Sequence, residues 1–276
     1  MSYDKSVADH YLHGDLLKSI EAALPSLGKT TENISIEDLA AVDEFHIGGR
    51  QATSSLIAKL MFSEQHHVLD VGCGLGGAAR YVADKYKNNV TGIDLSKEYI
   101  ETGEALCGWL NLDKQVNLVQ GSAMSMPFED ETFDGGYMLH VGMNIEDKAK
   151  LFEEIYRVLR PRTFFGIYDV MRQTDDGLIY PVPWATDSST CKIAVSQQYK
   201  ETLSDAGFGV SKENNCRDYA LDFFKKLREK MATSSEPPPL GLHTLMQEST
   251  GVKINNLIEN LEKGYIAPVE IIAYRY

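Results

Sequence analysis

The sequence lacks long apolar runs and carries no excess of positive charge. Within its 276 residues no stretch approaches the ~20 apolar residues that cross a membrane, and residues 1–13 are too polar for a signal peptide. Lys and Arg number 27 against 40 Asp and Glu, which gives a formal net charge of −13. Because such a surface repels phosphate groups, we expect neither nucleic acid nor a membrane as a partner.

Cysteine is scarce as well. The four cysteines are Cys73, Cys107, Cys191 and Cys216, and none of them forms a CxxC pair or a His/Cys cluster with the spacing of a zinc site. Scattered cysteines in a chain of this length are typical of reduced thiols. We therefore expect a cytoplasmic protein that binds no metal.

Strands that alternate with helices dominate the middle of the sequence. Short apolar runs predict strands at residues 67–71, 90–93, 116–120, 133–139 and 164–170. The segments between them have apolar residues at helical spacing. This alternation predicts an α/β protein with a parallel sheet covered on both faces.

The pattern divides the chain into four segments. Residues 1–60 read as an N-terminal helical lid and residues 61–216 as the α/β core. Residues 217–265 read as a polar, mainly helical cap, and residues 266–276 as a final strand of the core. The cap and the lid are expected to close over the carboxyl edge of the sheet, where open α/β sheets bind ligands.

The motif DVGCGLGG follows the first predicted strand at residues 70–77. Its glycines allow a tight turn and a close approach of the backbone to a ligand. Asp70 would repel the pyrophosphate of a nicotinamide dinucleotide, but it suits the ammonium and sulfonium groups of S-adenosylmethionine. Asp94 ends the second strand, where a carboxylate can bind a ribose diol. In the alternative interpretation both acids cap helices of a phosphate-binding domain.

Four motifs together resemble the class I S-adenosylmethionine-dependent methyltransferases. They are DVGCGLGG, GIDLS, GSAMSMPFEDETFDGGYMLH and EIYRVLRP, and the resemblance covers about residues 54–168. It implies a Rossmann-like fold with a mostly parallel, seven-stranded sheet whose last strand is antiparallel. It also implies S-adenosylmethionine as cofactor and S-adenosylhomocysteine as product.

A narrower resemblance rests on FHIGGRQAT, MLHVGMNIEDK and APVEII at residues 45–53, 138–148 and 267–272. These segments are similar to sarcosine/dimethylglycine N-methyltransferases, and the first two are also similar to phosphoethanolamine methyltransferases. Ubiquinone and sterol methyltransferases share the core motifs.

The resemblance implies a set of cofactor-binding residues, distributed over the ends of four strands. The amino-acid end of the cofactor would be held by Asp70, Gly72, Gly74 and Gly76. The ribose would be held by Asp94 and Leu95, and the rest of the cofactor would contact Ser122, Ala123, Met124 and Leu139. Many such enzymes have an acid at the position of Ser122, so here a hydroxyl or a backbone carbonyl would bind the adenine amine.

Methylation of an amine needs a base or a pocket that selects the neutral amine. His140, after the fourth strand, is the first candidate, and it matches a histidine that phosphoethanolamine methyltransferases pair with a tyrosine. Tyr11 is a candidate for that tyrosine. His46, in a Gly-Gly turn, is the second candidate base. Alternatively, His140 is a core histidine and His46 caps a helix.

Four residues are candidates for contact with the acceptor. Trp184, on the loop after the fifth strand, could face a methylammonium group. Arg50 and Arg172 could bind a carboxylate through their guanidinium groups. Tyr168 would line the pocket or belong to the core.

These residues predict an N-methyltransferase of a small amine such as sarcosine or dimethylglycine, on a route to betaine, acting as a monomer or homodimer. One alternative is methylation of another small acceptor: a phosphobase, a phenol, a quinone or a sterol. Another is a nucleotide-binding oxidoreductase or a non-catalytic S-adenosylmethionine-binding module. Turnover of S-adenosylmethionine with a panel of acceptors distinguishes them.

Overall fold

The computed structural model describes residues 3–175, 177–233 and 238–276, and seven strands in this part of the chain form one sheet. Their order across the sheet is β3-β2-β1-β4-β5-β7-β6. The strands are β1 His67–Val71, β2 Asn89–Asp94, β3 Val116–Gln120, β4 Gly136–Leu139, β5 Thr163–Arg172, β6 Phe208–Asn215 and β7 Ile266–Arg275.

Strands β1 to β5 pair in parallel, and β7 is antiparallel to both β5 and β6. This arrangement confirms the predicted fold class. The strand order reverses at β1, because its two neighbours are β2 and β4. Such a switch point opens a crevice beyond the carboxyl ends of the strands.

Helices cover both faces of the sheet and both flanks of the crevice. They are α1 Tyr3–His10, α2 Leu16–Ala23, α3 Ile36–Asp43, α4 Gly49–Ile57, α5 Gly77–Tyr86, α6 Lys97–Trp109, α7 Lys148–Val158, α8 Ser196–Asp205, α9 Arg217–Thr233, α10 Leu242–Met246 and α11 Thr250–Glu262. Short 3-10 turns lie at Leu24–Leu27, Gly142–Asn144 and Gln247–Ser249.

The fourth strand is shorter than the predicted 133–139. Gly135 has a φ of 151°, which breaks the extended run, and Phe133 instead forms an isolated bridge with Leu159. The fifth strand is longer than predicted, because β7 pairs with it along its whole length, from Thr163 to Arg172. Pairing partners far away in the chain therefore set both boundaries.

Local sequence explains where the helices beside the crevice begin. Ser35 and Asp38 form a reciprocal capping box at the start of α3. Ser96 accepts a hydrogen bond from the Tyr99 amide at the start of α6, directly after β2. These caps fix the ends of helices that border the crevice.

One buried ion pair connects α3 to α5. Arg80 Nη2 lies 2.7 Å from Asp43 Oδ1, and both side chains are fully buried. Arg80 also donates to the carbonyl oxygen of Leu75, in the glycine loop. The pair therefore fixes the N-terminal helices against the start of α5.

Helices α9 to α11 occupy the predicted cap segment, 217–265, and lie in the chain between β6 and β7. Helix α9 packs on α11 and β7, while α10 packs on α2 and α3. The insert thus meets the N-terminal helices. Among the described residues no helix has the length and apolar character needed to cross a membrane.

Candidate active site

A cavity of about 1300 Å³ opens at the carboxyl ends of β1, β2 and β4. Typical small-molecule pockets have volumes of about 300–1,000 Å³, so this cavity has room for two ligands side by side. Its walls come from the strand ends, from α1 and α3, and from the inserted helices α9 to α11. The glycine loop and the two candidate histidines lie in the same cavity.

The glycine loop adopts left-handed backbone at Gly72, Gly74 and Gly76, with φ values of 69°, 54° and 76°. A Cβ added at Gly72 would lie 2.4 Å from Cγ2 of Val141, so the backbone there leaves no space for a side chain. Gly72 and Gly74 line the cavity, but Gly76 does not. Gly76 caps α5 instead, so its part is to turn the chain.

Asp94 fixes the loop from the end of β2. Its Oδ2 accepts a hydrogen bond from the Gly74 amide at 2.9 Å, and its Oδ1 accepts one from the Ser96 amide at 2.8 Å. A carboxylate oxygen has further lone pairs, so both oxygens remain able to accept from a ribose diol. Leu95 follows in the cavity wall.

Asp70 is buried at the end of β1, and its Oδ2 accepts a hydrogen bond from the Tyr137 hydroxyl at 3.1 Å. Burial raises the pKa of this carboxyl to about 8, against the smaller opposing effect of the Tyr137 hydrogen bond. A ligand ammonium placed beside it would favour the carboxylate again. The site therefore suits the amino-acid end of S-adenosylmethionine.

The remaining predicted cofactor residues also line the cavity. Ser122, Ala123 and Met124 follow β3, and Leu139 ends β4. The Met124 amide donates to Ser122 Oγ over 3.4 Å, a long hydrogen bond. All four residues therefore lie in the cavity wall, and three of them are apolar.

His140 lies in the cavity wall with a left-handed φ of 56°. Its ring stacks on Tyr168, with centroids 5.4 Å apart and an interplanar angle of 22°. Its Nε2 is buried and has no hydrogen-bond partner among the described residues. Burial lowers the pKa of His140 well below its usual value, and His46 lowers it further.

His46 lies edge-on to His140, with ring centroids 5.9 Å apart. Its Nε2 is 3.3 Å from Glu44 Oε2 and 3.2 Å from the Gly49 carbonyl oxygen. Burial lowers the pKa of His46, and Glu44 opposes this effect. The structure brings together His46 and His140, the two histidines that the sequence suggested. It adds Glu44, which directly precedes the FHIGGRQAT segment and was not among the predicted site residues.

Tyr11 also lines the cavity, and its hydroxyl donates to Asn144 Oδ1 at 2.8 Å. Asn144 in turn donates to the carbonyl oxygens of Trp184 and Thr190. The bond therefore joins the N-terminal segment to the turn after β4 and to the loop after β5. His10 adds a second contact, between its Nε2 and the Pro183 carbonyl.

The four predicted acceptor-binding residues divide into two groups. Trp184 and Arg50 line the cavity, whereas Tyr168 and Arg172 do not. Arg172 is the last residue of β5, and its amide donates a hydrogen bond to the Ala194 carbonyl oxygen. The ring of Tyr168 stacks on that of His140. Tyr168 thus takes the core position that the sequence left open, and Arg172 does not line the cavity in which a carboxylate ligand was expected.

Arg50 is in the cavity wall, but its charge is matched there. Its Nε donates to Glu44 Oε1 at 2.5 Å, and its guanidinium lies 4.6 Å from the centroid of the Tyr81 ring. Trp184 is almost fully buried and its Nε1 donates to Cys191 Sγ at 3.3 Å. Neither contact was predictable from local sequence.

The part of the cavity formed by the insert is mainly apolar. Its side chains come from α9, from α11 and from the segment before α10, and they include Phe223, Phe224, Leu227, Leu240, Leu257 and Ile258. Sequence reasoning missed these residues, because the insert is polar on average and its apolar residues meet only on folding.

The part of the sequence that forms this site matches a known protein family. The family model "Methyltransferase domain" matches residues 69–167, which hold the glycine loop and the ends of β2 to β4. The chain is similar to the O-methyltransferase resE of Aspergillus sclerotiorum, with 31% identity over 203 residues that cover 72% of this chain and 76% of the relative. It is 34% identical over 117 residues to the sterol 4-C-methyltransferase strm-1 of Caenorhabditis elegans, covering 42% of this chain and 35% of that one.

Two solved structures show the same fold. Geranyl diphosphate C-methyltransferase from Streptomyces coelicolor A3(2) superposes with a TM-score of 0.73 at 19% identity, covering 100% of this chain and 99% of that one. A putative sarcosine dimethylglycine methyltransferase from Galdieria sulphuraria has a TM-score of 0.62 at 20% identity, covering 80% and 82%. The family match and the resE relative agree with the cavity and its glycine loop. The chain therefore belongs to the class I S-adenosylmethionine-dependent methyltransferases and methylates a small molecule.

Proposed function

We propose that this enzyme transfers a methyl group from S-adenosylmethionine to a hydroxyl oxygen of a largely apolar small molecule. The observation that carries the proposal is the composition of the cavity. Two histidines stand beside the glycine loop, and aromatic and aliphatic side chains of the insert line the space beyond them. Apolar walls with a few polar groups favour a ligand of the same character.

The relatives favour oxygen over carbon as the methyl acceptor. The match with the O-methyltransferase resE spans 203 residues, so it must extend well outside residues 69–167. The match with the sterol 4-C-methyltransferase covers 117 residues, little more than the cofactor-binding part. A likeness that extends over more of the chain is the better guide to the acceptor.

Sarcosine and dimethylglycine, the acceptors favoured by the sequence motifs, receive less support. A carboxylate acceptor needs a cation that is free to bind it. Of the two arginines that the sequence suggested for this role, Arg50 is paired with Glu44 through its Nε, and Arg172 does not line the cavity. The likeness to the Galdieria sulphuraria structure, at 20% identity, supports the fold alone. The alternative of another small acceptor therefore replaces the amine.

In the methyl transfer, the residues of the chain would align the acceptor with the cofactor, exclude water from the site and accept a proton. S-adenosylmethionine, when bound, supplies a methyl carbon that is already activated for displacement. The apolar insert would exclude water and orient the acceptor. The lowered pKa values of His46 and His140 keep their imidazoles neutral near pH 7, so they can accept a proton from a hydroxyl group.

Formation of S-adenosylhomocysteine by the purified protein tests this function. The acceptor panel would contain naphthols and hydroxylated anthraquinones, a sterol, sarcosine, dimethylglycine and phosphoethanolamine. We expect turnover with the hydroxylated aromatics and a new O-methyl signal in the NMR spectrum of the product. Turnover confined to sarcosine or dimethylglycine would contradict the proposal and show that the acceptor is an amine. Turnover confined to the sterol would indicate a carbon acceptor.

A substitution in α9 tests whether the insert contacts the acceptor. Phe224→Ala removes apolar surface from α9, distant in sequence from the glycine loop. We expect a rise of about 5- to 30-fold in KM for the aromatic acceptor, from the loss of about 1–2 kcal/mol of apolar contact, and an unchanged dissociation constant for S-adenosylmethionine. A loss of cofactor binding without a change in KM for the acceptor would count against this placement.

A further inference from the structure

Glu44 belongs to a buried cluster beside the two cavity histidines. Its side chain is 1% exposed. Its Oε1 accepts from Arg50 Nε, and its Oε2 accepts from the Thr53 hydroxyl, each at 2.5 Å. A buried carboxylate with two charge-assisted hydrogen bonds is held in one orientation. That orientation directs Oε2 at His46.

The surroundings of His46 determine which ring nitrogen carries the proton. Nε2 lies 3.0 Å from Thr53 Oγ1, 3.2 Å from the Gly49 carbonyl oxygen and 3.3 Å from Glu44 Oε2. The carbonyl and the carboxylate only accept hydrogen bonds, and the Thr53 hydroxyl gives its proton to Glu44, so its oxygen also accepts. Nε2 must therefore be the protonated nitrogen of the neutral ring. The lone pair is then on Nδ1, which has no hydrogen-bond partner among the described residues. His46 itself lines the cavity.

His140 has no comparable support. No carboxylate contacts its ring, and within the described part of the chain its buried Nε2 is unpartnered. Burial and His46 both lower its pKa, and nothing raises it, so a proton on this ring would be costly. The His140 ring stacks on Tyr168, which holds it in place as part of the cavity wall.

We propose that Glu44 and His46 form a dyad in which His46 Nδ1 takes the proton of the acceptor, while Glu44 is the positioning residue, whose carboxylate lies 3.3 Å from Nε2 and holds the Thr53 hydroxyl against it. The inference rests on the methyl transfer proposed above. It reverses the order of the sequence-based candidates, which placed His140 first and did not include Glu44.

The proton and electron balance of the step is simple. The acceptor O–H bond breaks and its proton moves to His46 Nδ1, which gives an imidazolium whose Nε2 lies 3.3 Å from the Glu44 carboxylate. The oxygen electron pair forms the new bond to the methyl carbon, and the electrons of the broken carbon–sulfur bond stay on sulfur. Release of the proton to water then restores the neutral ring. The nearby carboxylate stabilises the imidazolium, as in other carboxylate–histidine pairs.

Two measurements test the dyad, and the first needs no acceptor. The ¹⁵N chemical shifts of His46 in the free protein report its tautomer, and we expect Nε2–H. The pH dependence of the His46 shifts gives its pKa, which Glu44→Gln should lower, because the carboxylate favours the charged ring. An Nδ1–H tautomer, or an unchanged pKa in Glu44→Gln, would overturn the proposal whatever the acceptor is.

The second measurement is the pH profile of kcat/KM for whichever acceptor of the panel turns over, at saturating S-adenosylmethionine. The charged and titratable groups around His46 are Glu44, Arg50, His140 and Tyr168. Activity should fall as pH falls through the pKa of His46. Glu44→Gln should move this acid limb to lower pH and reduce the plateau about 10- to 100-fold.

The histidine variants complete the test. His46→Asn should reduce kcat/KM by about 100- to 10,000-fold, more than His140→Asn does. Thr53→Val, which removes one hydrogen bond to Glu44 without changing any charge, serves if Glu44→Gln does not fold, and should reduce kcat less. His67→Gln, at the start of β1 and outside the cavity, is the matched control and should keep its activity. If His46→Asn retains kcat/KM within threefold, His46 is not the base.

Discussion

At the scale of single residues, Gly72 and Gly74 share a left-handed backbone but differ in the space around them. A Cβ at Gly72 would meet Val141 at 2.4 Å, whereas at Gly74 the nearest atom would be 3.8 Å away, on Tyr99. Gly74→Ala should therefore cost only the backbone strain, about 1–2 kcal/mol. Gly72→Ala should cost more and weaken S-adenosylmethionine binding more strongly, as measured by calorimetry.

The double variant Gly72→Ala/Val141→Ala provides the control for this prediction. Removing the valine methyl groups takes away the contacting atoms, so cofactor affinity should partly recover. If Gly72→Ala and Gly74→Ala weaken binding equally, the contact with Val141 does not restrict the loop.

Asp70 should link cofactor binding to pH. Its pKa of about 8 means that the carboxyl is mainly protonated at pH 7 in the free protein, while a bound ammonium favours the carboxylate. Binding of S-adenosylmethionine should therefore release a proton, and affinity should rise up to about tenfold per pH unit between about pH 6 and 8. Calorimetry in buffers of different ionisation enthalpy measures the release directly.

5′-Methylthioadenosine, which lacks the amino-acid end, is the matched ligand for this experiment. It should bind without proton release, and so should S-adenosylmethionine to the Asp70→Asn variant, with lower affinity. Equal proton release with both ligands would show that a group other than Asp70 titrates.

At the scale of elements, the start of α2 depends on a side chain from another helix. Asp15, at its N-cap, makes no side-chain capping bond. Instead the Glu98 carboxylate, on α6, accepts hydrogen bonds from the amides of His13, Gly14 and Leu16 at 2.7, 2.7 and 3.1 Å. One carboxylate thus holds the link between α1 and α2, and with it the α1 wall of the cavity.

Glu98→Ala should destabilise the protein by about 1–2 kcal/mol, in the range of a lost helix cap. Hydrogen exchange of the amides of residues 13–19 should accelerate, because the segment loses its attachment to α6. Glu101→Ala, one turn along α6, removes only an exposed contact with Lys97 and should change neither quantity appreciably. Unchanged exchange in Glu98→Ala would show that the segment is held by other contacts.

The boundaries of the strands show which structural features the local sequence can predict. The prediction matched β1 and β3 residue for residue, because each is a short apolar run bounded by polar residues or glycines. It suggested Arg172 as a ligand of a carboxylate, but β7 pairs with β5 up to that residue, and Arg172 does not line the cavity. A boundary set by a partner about a hundred residues away leaves no local signal.

The same distinction holds within the site. The glycine loop and Asp94 could be predicted because β1, its turn and β2 are consecutive in the chain. Glu44 and the apolar residues of the insert could not, because they reach the cavity through packing between segments from opposite ends of the sequence.

At the scale of the whole molecule, the proposed function assigns the methyl donor and the acceptor to different parts of the chain. The glycine loop and strand ends face the cofactor, while α9 to α11 supply the apolar wall. A chimera carrying residues 217–265 of a methyltransferase with another acceptor should therefore keep its affinity for S-adenosylmethionine and lose turnover of the original acceptor. A graft of the unaltered segment back into the chimera is the control, and a loss of cofactor affinity would contradict this division.

The insert leaves the sheet at the end of β6 and returns at the start of β7, two strands that pair with each other. Any segment whose two ends can meet there can replace it, and the entropy of closing such a loop grows only with the logarithm of its length. The position is thus a tolerant insertion point next to the site proposed for the methyl donor. A lineage can try new acceptors there by recombination or insertion without first having to rebuild the methyl-donor site.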